Sequence, residues 1–204
     1  MIALDNLGLV KFAESKIGTP YVYGMKGEVL TSAKYEQLKK QYGELVWNSD
    51  RNKIGKVCVD CSGLISWYTG VMRGSSQHKA AATSVYPIST IANAPVGALV
   101  WQQGHIGIYV GNGEYVAADG SAYGVRRNKL SKAKFTHWFL CTDIAYINIK
   151  EEKRTVEKRY NKISELPTWA KATIQKLVNE GKIADGNKLD MSEDMLRVLV
   201  ILSR

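Results

Sequence analysis

No stretch of this sequence approaches the roughly 18 consecutive apolar residues of a membrane-spanning helix, and the opening MIALDNLGLV has neither a basic leader nor a sustained apolar run. A soluble product, made in the cytoplasm without a Sec-type leader, is the expectation. Cysteine is scarce: there are three in 204 residues, an odd number that cannot pair completely within one chain. With 45% apolar residues the chain can build a core without disulfide staples, so reduced thiols are expected. Zinc-finger spacing, a Walker loop and the aromatic signature of RNA-binding sheets are all missing. The excess of 28 Lys and Arg over 19 Asp and Glu, a net charge of +9, therefore does not by itself point to nucleic acid. It fits either an ordinary solvated basic surface or attraction to another anionic polymer, such as a bacterial wall. Internal repeats and low-complexity tracts are absent as well.

What is present runs from helices to strands. Residues 5–17, DNLGLVKFAESKI, put Leu7, Val10, Ala13 and Ile17 at helical spacing behind an Asp able to cap, and Gly18, Thr19 and Pro20 end the pattern. Residues 28–56 are polar, with Tyr35, Leu38, Tyr42, Leu45 and Trp47 spaced for one more helix and a loop, and they read as an insertion packed on the surface. A further helix begins near Cys61 and carries Leu64, Ile65, Trp67, Tyr68 and Val71. The segment GALVWQQGHIGIYVGNGEYVAA then alternates in short β-rich runs around Asn112-Gly113, giving expected strands near 97–102, 105–110 and 114–119. Residues 138–149 are aromatic and β-branched and suggest another strand. Helices followed by antiparallel strands indicate an α+β fold.

Charges crowd into KEEKRTVEKRYNK, residues 150–162, which read as a linker between a domain at 1–149 and a tail at 163–204. In the tail, Pro167 starts a helix with an apolar face of Trp169, Ile174, Leu177 and Val178, and Gly181 stands where a cap is needed. Ser192 caps a second helix carrying Met195, Leu196, Leu199, Val200 and Leu202. Two such helices bury little surface alone. They are expected to dock on the larger domain or to pair with another copy as a homodimer, and the tail reads as an element for wall binding or dimerisation.

The chemistry-bearing stretch is VCVDCSGLISW. In a thioredoxin-like redox pair the reactive cysteine comes first and the helix runs through the second, whereas here the helical pattern begins only after Cys61. A structural zinc site takes four ligands, and beyond Cys58 and Cys61 only Cys141 and three scattered histidines remain. No metal and no cofactor are therefore expected. Asp60 is placed to cap the helix, and Cys61 in its first turn would sit among unsatisfied N–H groups at the positive end of the dipole, features that lower a thiol pKa. Gly63 permits close approach of backbone or substrate, and the Cys61 N–H can meet a developing oxyanion. A buried, inert cysteine is the commoner fate of a lone thiol. A working nucleophile needs an imidazole partner. His78 lies in a polar stretch and His137 among aromatics, so both read as surface or packing residues. His105 opens a strand directly after Gly104, in a hairpin able to bring it to the helix end.

GTPYVYG, VDCSGLISW and GHIGIYVGNGEYV, in that order, resemble the NlpC-type, papain-like cysteine peptidases that cleave bacterial peptidoglycan, over roughly residues 5–145. The segment 28–56 resembles the version found in cell-wall hydrolases of Gram-positive bacteria and their phages. The tail resembles segments appended to phage and prophage lysins. The resemblance implies Cys61 as nucleophile, His105 as general base and acid, Tyr21 as the aromatic hydroxyl near the thiol, and Ser62 beside it on the substrate and oxyanion side. It implies an endolysin-like hydrolase that cuts an amide of the stem peptide through a thioester, next to D-glutamate or where sugar meets peptide. Its partners would be peptidoglycan and anionic wall polymers such as teichoic acids, reached after release through a holin-type pore.

Two positions depart from the family. The polar residue that orients the histidine falls on Ala117, and Ala98 stands where the family often has Asp. If Gly111, Asn112 and Gly113 form a three-residue turn, His105 faces Asp119, which can then orient the imidazole; a two-residue turn reverses the parity and points Asp119 away. The departures leave open a non-catalytic wall-binding module, and the same fold also serves acyl transfer and deamidation. Cys58 is expected to be a neighbour of Cys61 able to form a reversible, silencing disulfide.

Overall fold

The computed structural model describes residues 4–147 and 159–203, and the chain divides into two compact units between Ile147 and Asn148. In the first, α1 (Asn6–Ser15) is capped by Asp5, whose carboxylate accepts the Gly8 N–H at 2.7 Å. Strand β1 (Lys26–Val29) leads into α2 (Ser32–Tyr42) and a 3-10 turn at Asn48–Lys53, and β2 (Val57–Val59) returns antiparallel to β1. Helix α3 (Cys61–Thr69) follows at once, is ended by Gly70 in the left-handed region, and is succeeded by α4 (Ser75–Ala81). The main sheet is built from β3 (Val85–Pro87), β4 (Leu99–Gln102), β5 (His105–Gly111), β6 (Glu114–Ala118), β7 (Val125–Lys129) and β8 (His137–Phe139). It is antiparallel throughout, in the order β3-β8-β4-β5-β6-β7. The fold is α+β, as the run of helices before strands implied.

Both faces of the sheet are covered. On one, Leu99, Ile106, Ile108, Val116 and Phe139 pack against Leu9 and Ala13 of α1 and Leu64 and Ile65 of α3. Leu64 and Ile65 are wholly buried, which contributes roughly 3–6 kcal/mol and fixes the helix that begins at Cys61. On the other face, Val100, Tyr109, Tyr115, Ala117, Phe135 and Trp138 are closed over by Ile88, Ile91 and Leu130. Ala98 belongs to this second cluster and is wholly buried. An aspartate there would have to desolvate its charge among apolar neighbours.

The segment 28–56 does more than lie on the surface. Tyr35 and Leu38 of α2 join Val22, Met25, Leu30, Val46 and Cys58 in a core of their own, while Leu45 and Trp47 stay exposed. The hairpin between β5 and β6 also differs from expectation. Its turn has two residues, Asn112 and Gly113, both at positive φ as a type I′ turn requires. An irregularity between Tyr109 and Gly111 then shifts the register, so that Ile108 pairs with Val116 and Tyr109 with Tyr115. A bulge thus restores the parity that a three-residue turn would have given. The expected strand at 138–149 is cut to β8: past Phe139 the chain turns, the Cys141 N–H donates to the Tyr146 hydroxyl, and Ala145 bridges Asp5. Residues 148 and 149 lie outside the described residues.

In the second unit, β9 (Arg159–Tyr160) pairs antiparallel with β10 (Met191–Ser192). Between them runs α5 (Thr168–Asn179), and α6 (Glu193–Leu202) follows, capped by Ser192. Tyr160, Leu166, Ala170, Ile174, Leu177, Leu189, Met191 and Leu196 form its core. The end of the charged stretch therefore belongs to this unit, through β9; residues 150–158 lie outside those described. Trp169 is 46% exposed, so the inward face of α5 is Ala170, Ile174 and Leu177. Among the described residues no helix is long and apolar enough to cross a membrane.

Candidate active site

Strand β2 runs straight into α3, so Asp60 and Cys61 sit at the helix mouth. Asp60 caps it: Oδ1 accepts the Gly63 N–H at 2.6 Å and the Ser62 hydroxyl at 2.9 Å, and Oδ2 accepts the Gly24 N–H at 2.9 Å. The Lys26 ammonium bonds both Asp60 oxygens and the Ser62 hydroxyl at 2.9–3.1 Å. Ser62, assigned to the substrate side from the sequence, is 4% exposed with its side chain committed to this cluster. What it can offer a substrate is its backbone N–H. With the Gly63 N–H taken by the cap, the Cys61 and Ser62 N–H groups are the first-turn donors directed out of the helix. Gly63 is needed for backbone approach: a Cβ there would lie 2.3 Å from the Met25 carbonyl oxygen.

Cys61 borders a cleft of about 510 Å³ whose walls include Tyr23, Lys26, Arg73, Gln77 and Gln103. Tyr21 is 9% exposed and bridges Val59 in parallel. Burial, then the nearby Cys61 and Asp60, hold its phenol protonated well above the ordinary range. Its hydroxyl is thus a hydrogen-bond donor beside the thiol.

His105, at the start of β5, puts Nε2 3.1 Å from Asp119 Oδ1. Cys61 is within hydrogen-bonding reach of the same ring, and since Nε2 is engaged by Asp119, Nδ1 is the nitrogen left for sulfur. Burial alone would lower the imidazole pKa, but the Asp119 and Cys61 bonds outweigh it and raise it to about 9. The ring stacks on Phe135, centroids 5.6 Å apart and 11° between planes. Asp119 is held in turn: Oδ2 accepts Arg126 Nε at 2.6 Å and the Tyr115 hydroxyl at 3.2 Å. Burial would raise its pKa, and the His105 and Arg126 bonds overcome this and lower it.

The structure thus brings together Cys61, His105, Asp119 and Tyr21. Ala117, where the family's orienting residue falls, is wholly buried and pairs with Arg126 across β6 and β7. The sequence reading missed Lys26, Tyr115 and Arg126. Arg126 sits on β7, a strand with no clear apolar alternation (VRRNK), and nothing in its local pattern marks it as a partner of Asp119. His78, read as a surface or packing residue, is 3% exposed. Cys58 is wholly buried in the cluster formed with α2, whereas Cys61 belongs to the cluster under the sheet.

A family model described as the NlpC/P60 family matches residues 18–143. No curated protein matches the chain. Among solved structures, NlpC1 from Trichomonas vaginalis is 17% identical with a TM-score of 0.46, over 67% of this chain and 43% of its own. The peptidoglycan hydrolase RipB from Mycobacterium tuberculosis is 25% identical with a TM-score of 0.44, over 69% of this chain and 65% of its own. RipD from the same organism, described as a non-catalytic NlpC/p60 domain protein adapted to peptidoglycan binding, is 19% identical with a TM-score of 0.44, over 67% and 96%. The chain spans less than two thirds of the length of the first two.

Proposed function

The chain belongs to the NlpC/P60 family, and from that premise we propose that it is a cysteine hydrolase opening an amide bond in the peptidoglycan stem peptide. The observation that carries this reading is the alignment of Cys61, which borders the cleft, with His105 and Asp119. The Cys61 thiolate attacks the amide carbon, and the oxyanion is met by N–H groups at the mouth of α3. The His105 imidazolium gives its Nδ1 proton to the departing amine as the C–N bond breaks, leaving a thioester. Neutral His105 then takes a proton from water, whose oxygen attacks the thioester and frees Cys61. Asp119 holds the Nε2–H throughout, so Nδ1 always faces sulfur.

The bond proposed is the one next to D-glutamate or at the junction of sugar and peptide. The cationic side chains Lys26 and Arg73 in the cleft wall support an acidic peptide as ligand, although each already faces a carboxylate. The net charge of +9 supports retention on anionic wall polymers, with binding that weakens as salt rises. Phage-type release through a membrane pore belongs to the same proposal and rests on the likeness of the tail to lysin tails. The second unit is proposed to bind wall or to pair subunits; its exposed Val198, Ile201 and Leu202 supply apolar surface for either.

The test is mass spectrometry of soluble fragments from purified Gram-positive sacculi treated with the wild type and with Cys61→Ala. New amino termini released by the wild type alone identify the hydrolase and its bond. Binding without release by either protein would make the chain a wall-binding module. Transfer of the acyl group to an added amine, or ammonia release without chain cleavage, would make it an acyltransferase or a deamidase.

A further inference from the structure

A second group of reactive side chains lies outside the Cys61 site. His78 on α4 and Cys141 and Asp143 after β8 each offer a ligand atom, and the three atoms lie within 4.8 Å of one another. His78 is 3% exposed, and its Nε2 has no hydrogen-bond partner among the described residues. A buried polar atom left unpaired is costly, and imidazole is the commonest metal ligand. Cys141 is 3% exposed, and its thiol donates to Asp143 Oδ2 at 3.8 Å. Asp143 also pairs with Arg73.

We propose that His78, Cys141 and Asp143 bind one transition-metal ion, with Zn²⁺ the best fit, and that the ion fastens α4 to the segment following β8. One imidazole, one thiolate and one carboxylate suit Zn²⁺, whereas Ca²⁺ and Mg²⁺ take oxygen ligands. Three protein ligands leave a fourth tetrahedral position for water. Metal–ligand bonds of roughly 2.0–2.3 Å bring ligand atoms within about 4 Å of one another, so closing the site takes side-chain shifts of about an ångström. On binding, the Cys141 S–H bond breaks, a Zn–S bond forms and the proton passes to water, with no change of oxidation state. Thiolate and carboxylate together cancel the charge of the ion. Arg73 becomes the outer hydrogen-bond partner that ligating carboxylates ordinarily have. The segment Arg73–Gln77, which leads into α4, forms part of the cleft wall, so the ion would hold that wall in place. The proposal is independent of the chemistry assigned to Cys61.

The test uses the full chain carrying Cys61→Ala, so that the cleft thiol does not compete, titrated with Co²⁺ alone and then with Zn²⁺. One equivalent of Co²⁺ should give a thiolate-to-cobalt charge-transfer band that Zn²⁺ displaces and that Cys141→Ser removes. Zn²⁺ should raise Tm, reversibly with chelator. Should Cys141→Ser fail to fold, Asp143→Asn, at the partly exposed edge of the site, should weaken Co²⁺ binding by about tenfold or more. Absence of the band in Cys61→Ala, its survival in Cys141→Ser, or an undiminished affinity in Asp143→Asn overturns the proposal.

Discussion

His105 Nε2 and Asp119 Oδ1 stand 3.1 Å apart across a hairpin whose two-residue turn would, without its bulge, have put them on opposite faces. The contact fixes which ring nitrogen faces Cys61, and it sustains the imidazolium. The His105 pKa, raised from 6.5 to about 9 against the effect of burial, should set the alkaline limit of the proposed hydrolysis, the proton for the leaving amine being present below about pH 9 and lost above it. The same shift stabilises the fold fully below pH 6.5, and that contribution is lost as pH rises through about 9. In Asp119→Ala one of the two raising bonds is gone, so the alkaline limb of the pH profile should move to lower pH and kcat should fall by about 10²-fold. Fragment release measured from pH 6 to pH 10 checks both. An unmoved limb would show that Asp119 does not govern the titration.

Gly63 is where the site tolerates no side chain. A Cβ there would lie 2.3 Å from the Met25 carbonyl, which also accepts the Asp60 N–H at 2.9 Å. Backbone cannot yield as a flexible side chain can, so Gly63→Ala should cost about 2–3 kcal/mol and displace the helix mouth. The expected readout is a lower urea midpoint together with a loss of activity larger than the stability change explains. A stable, fully active Gly63→Ala would mean that α3 is free to shift.

Much of this was legible from local pattern, and the limits were physical. The helix starting at Cys61 follows from the Asp60 cap and the apolar spacing of Leu64 and Ile65, and the β5–β6 hairpin follows from Asn112-Gly113. The role of Asp119 was only conditionally legible, because it hangs on parity and a bulge leaves no clear mark in sequence. Arg126 and Lys26 were invisible because charge pairing over such separations has no periodicity. His78 read as a surface or packing residue because its neighbours are polar, and its burial beside Cys141 and Asp143 depends on how the chain folds back, which has no local mark.

The three thiols should separate by reactivity. Burial pushes Cys58 and Cys141 up to about 11 and seals both from solvent, while Cys61 borders the cleft. Iodoacetamide at pH 8 should label Cys61 alone in the native protein and all three cysteines in denaturant. Cys58→Ser should leave the rate of oxidative inactivation unchanged, since Cys58 packs in a different cluster from Cys61. Peptide mapping that finds Cys58 labelled or disulfide-linked as fast as Cys61 reacts would restore the idea of a silencing disulfide.

Asp50 shows what the 28–56 segment contributes to the site. It is wholly buried: Oδ1 accepts Lys53 Nζ at 2.6 Å, and Oδ2 accepts the Trp47 N–H at 2.9 Å and the Ser121 hydroxyl at 3.1 Å. Lys53 Nζ also donates to the carbonyls of Tyr21 at 2.7 Å and Ser121 at 2.8 Å. One ion pair therefore ties the segment to the backbone at Tyr21, which bridges Val59, and to the loop just past Asp119. Removing only the carboxylate strands a largely buried ammonium, so Asp50→Ala should cost about 3 kcal/mol, read as a fall in urea midpoint. Removing both charges in Asp50→Asn with Lys53→Met should cost less than the sum of the single changes, because neither partner is left uncompensated. The double variant should nonetheless lose activity, since nothing then holds the Tyr21 carbonyl; a double variant as active as wild type would reduce the strut to a stabilising contact without influence on the site.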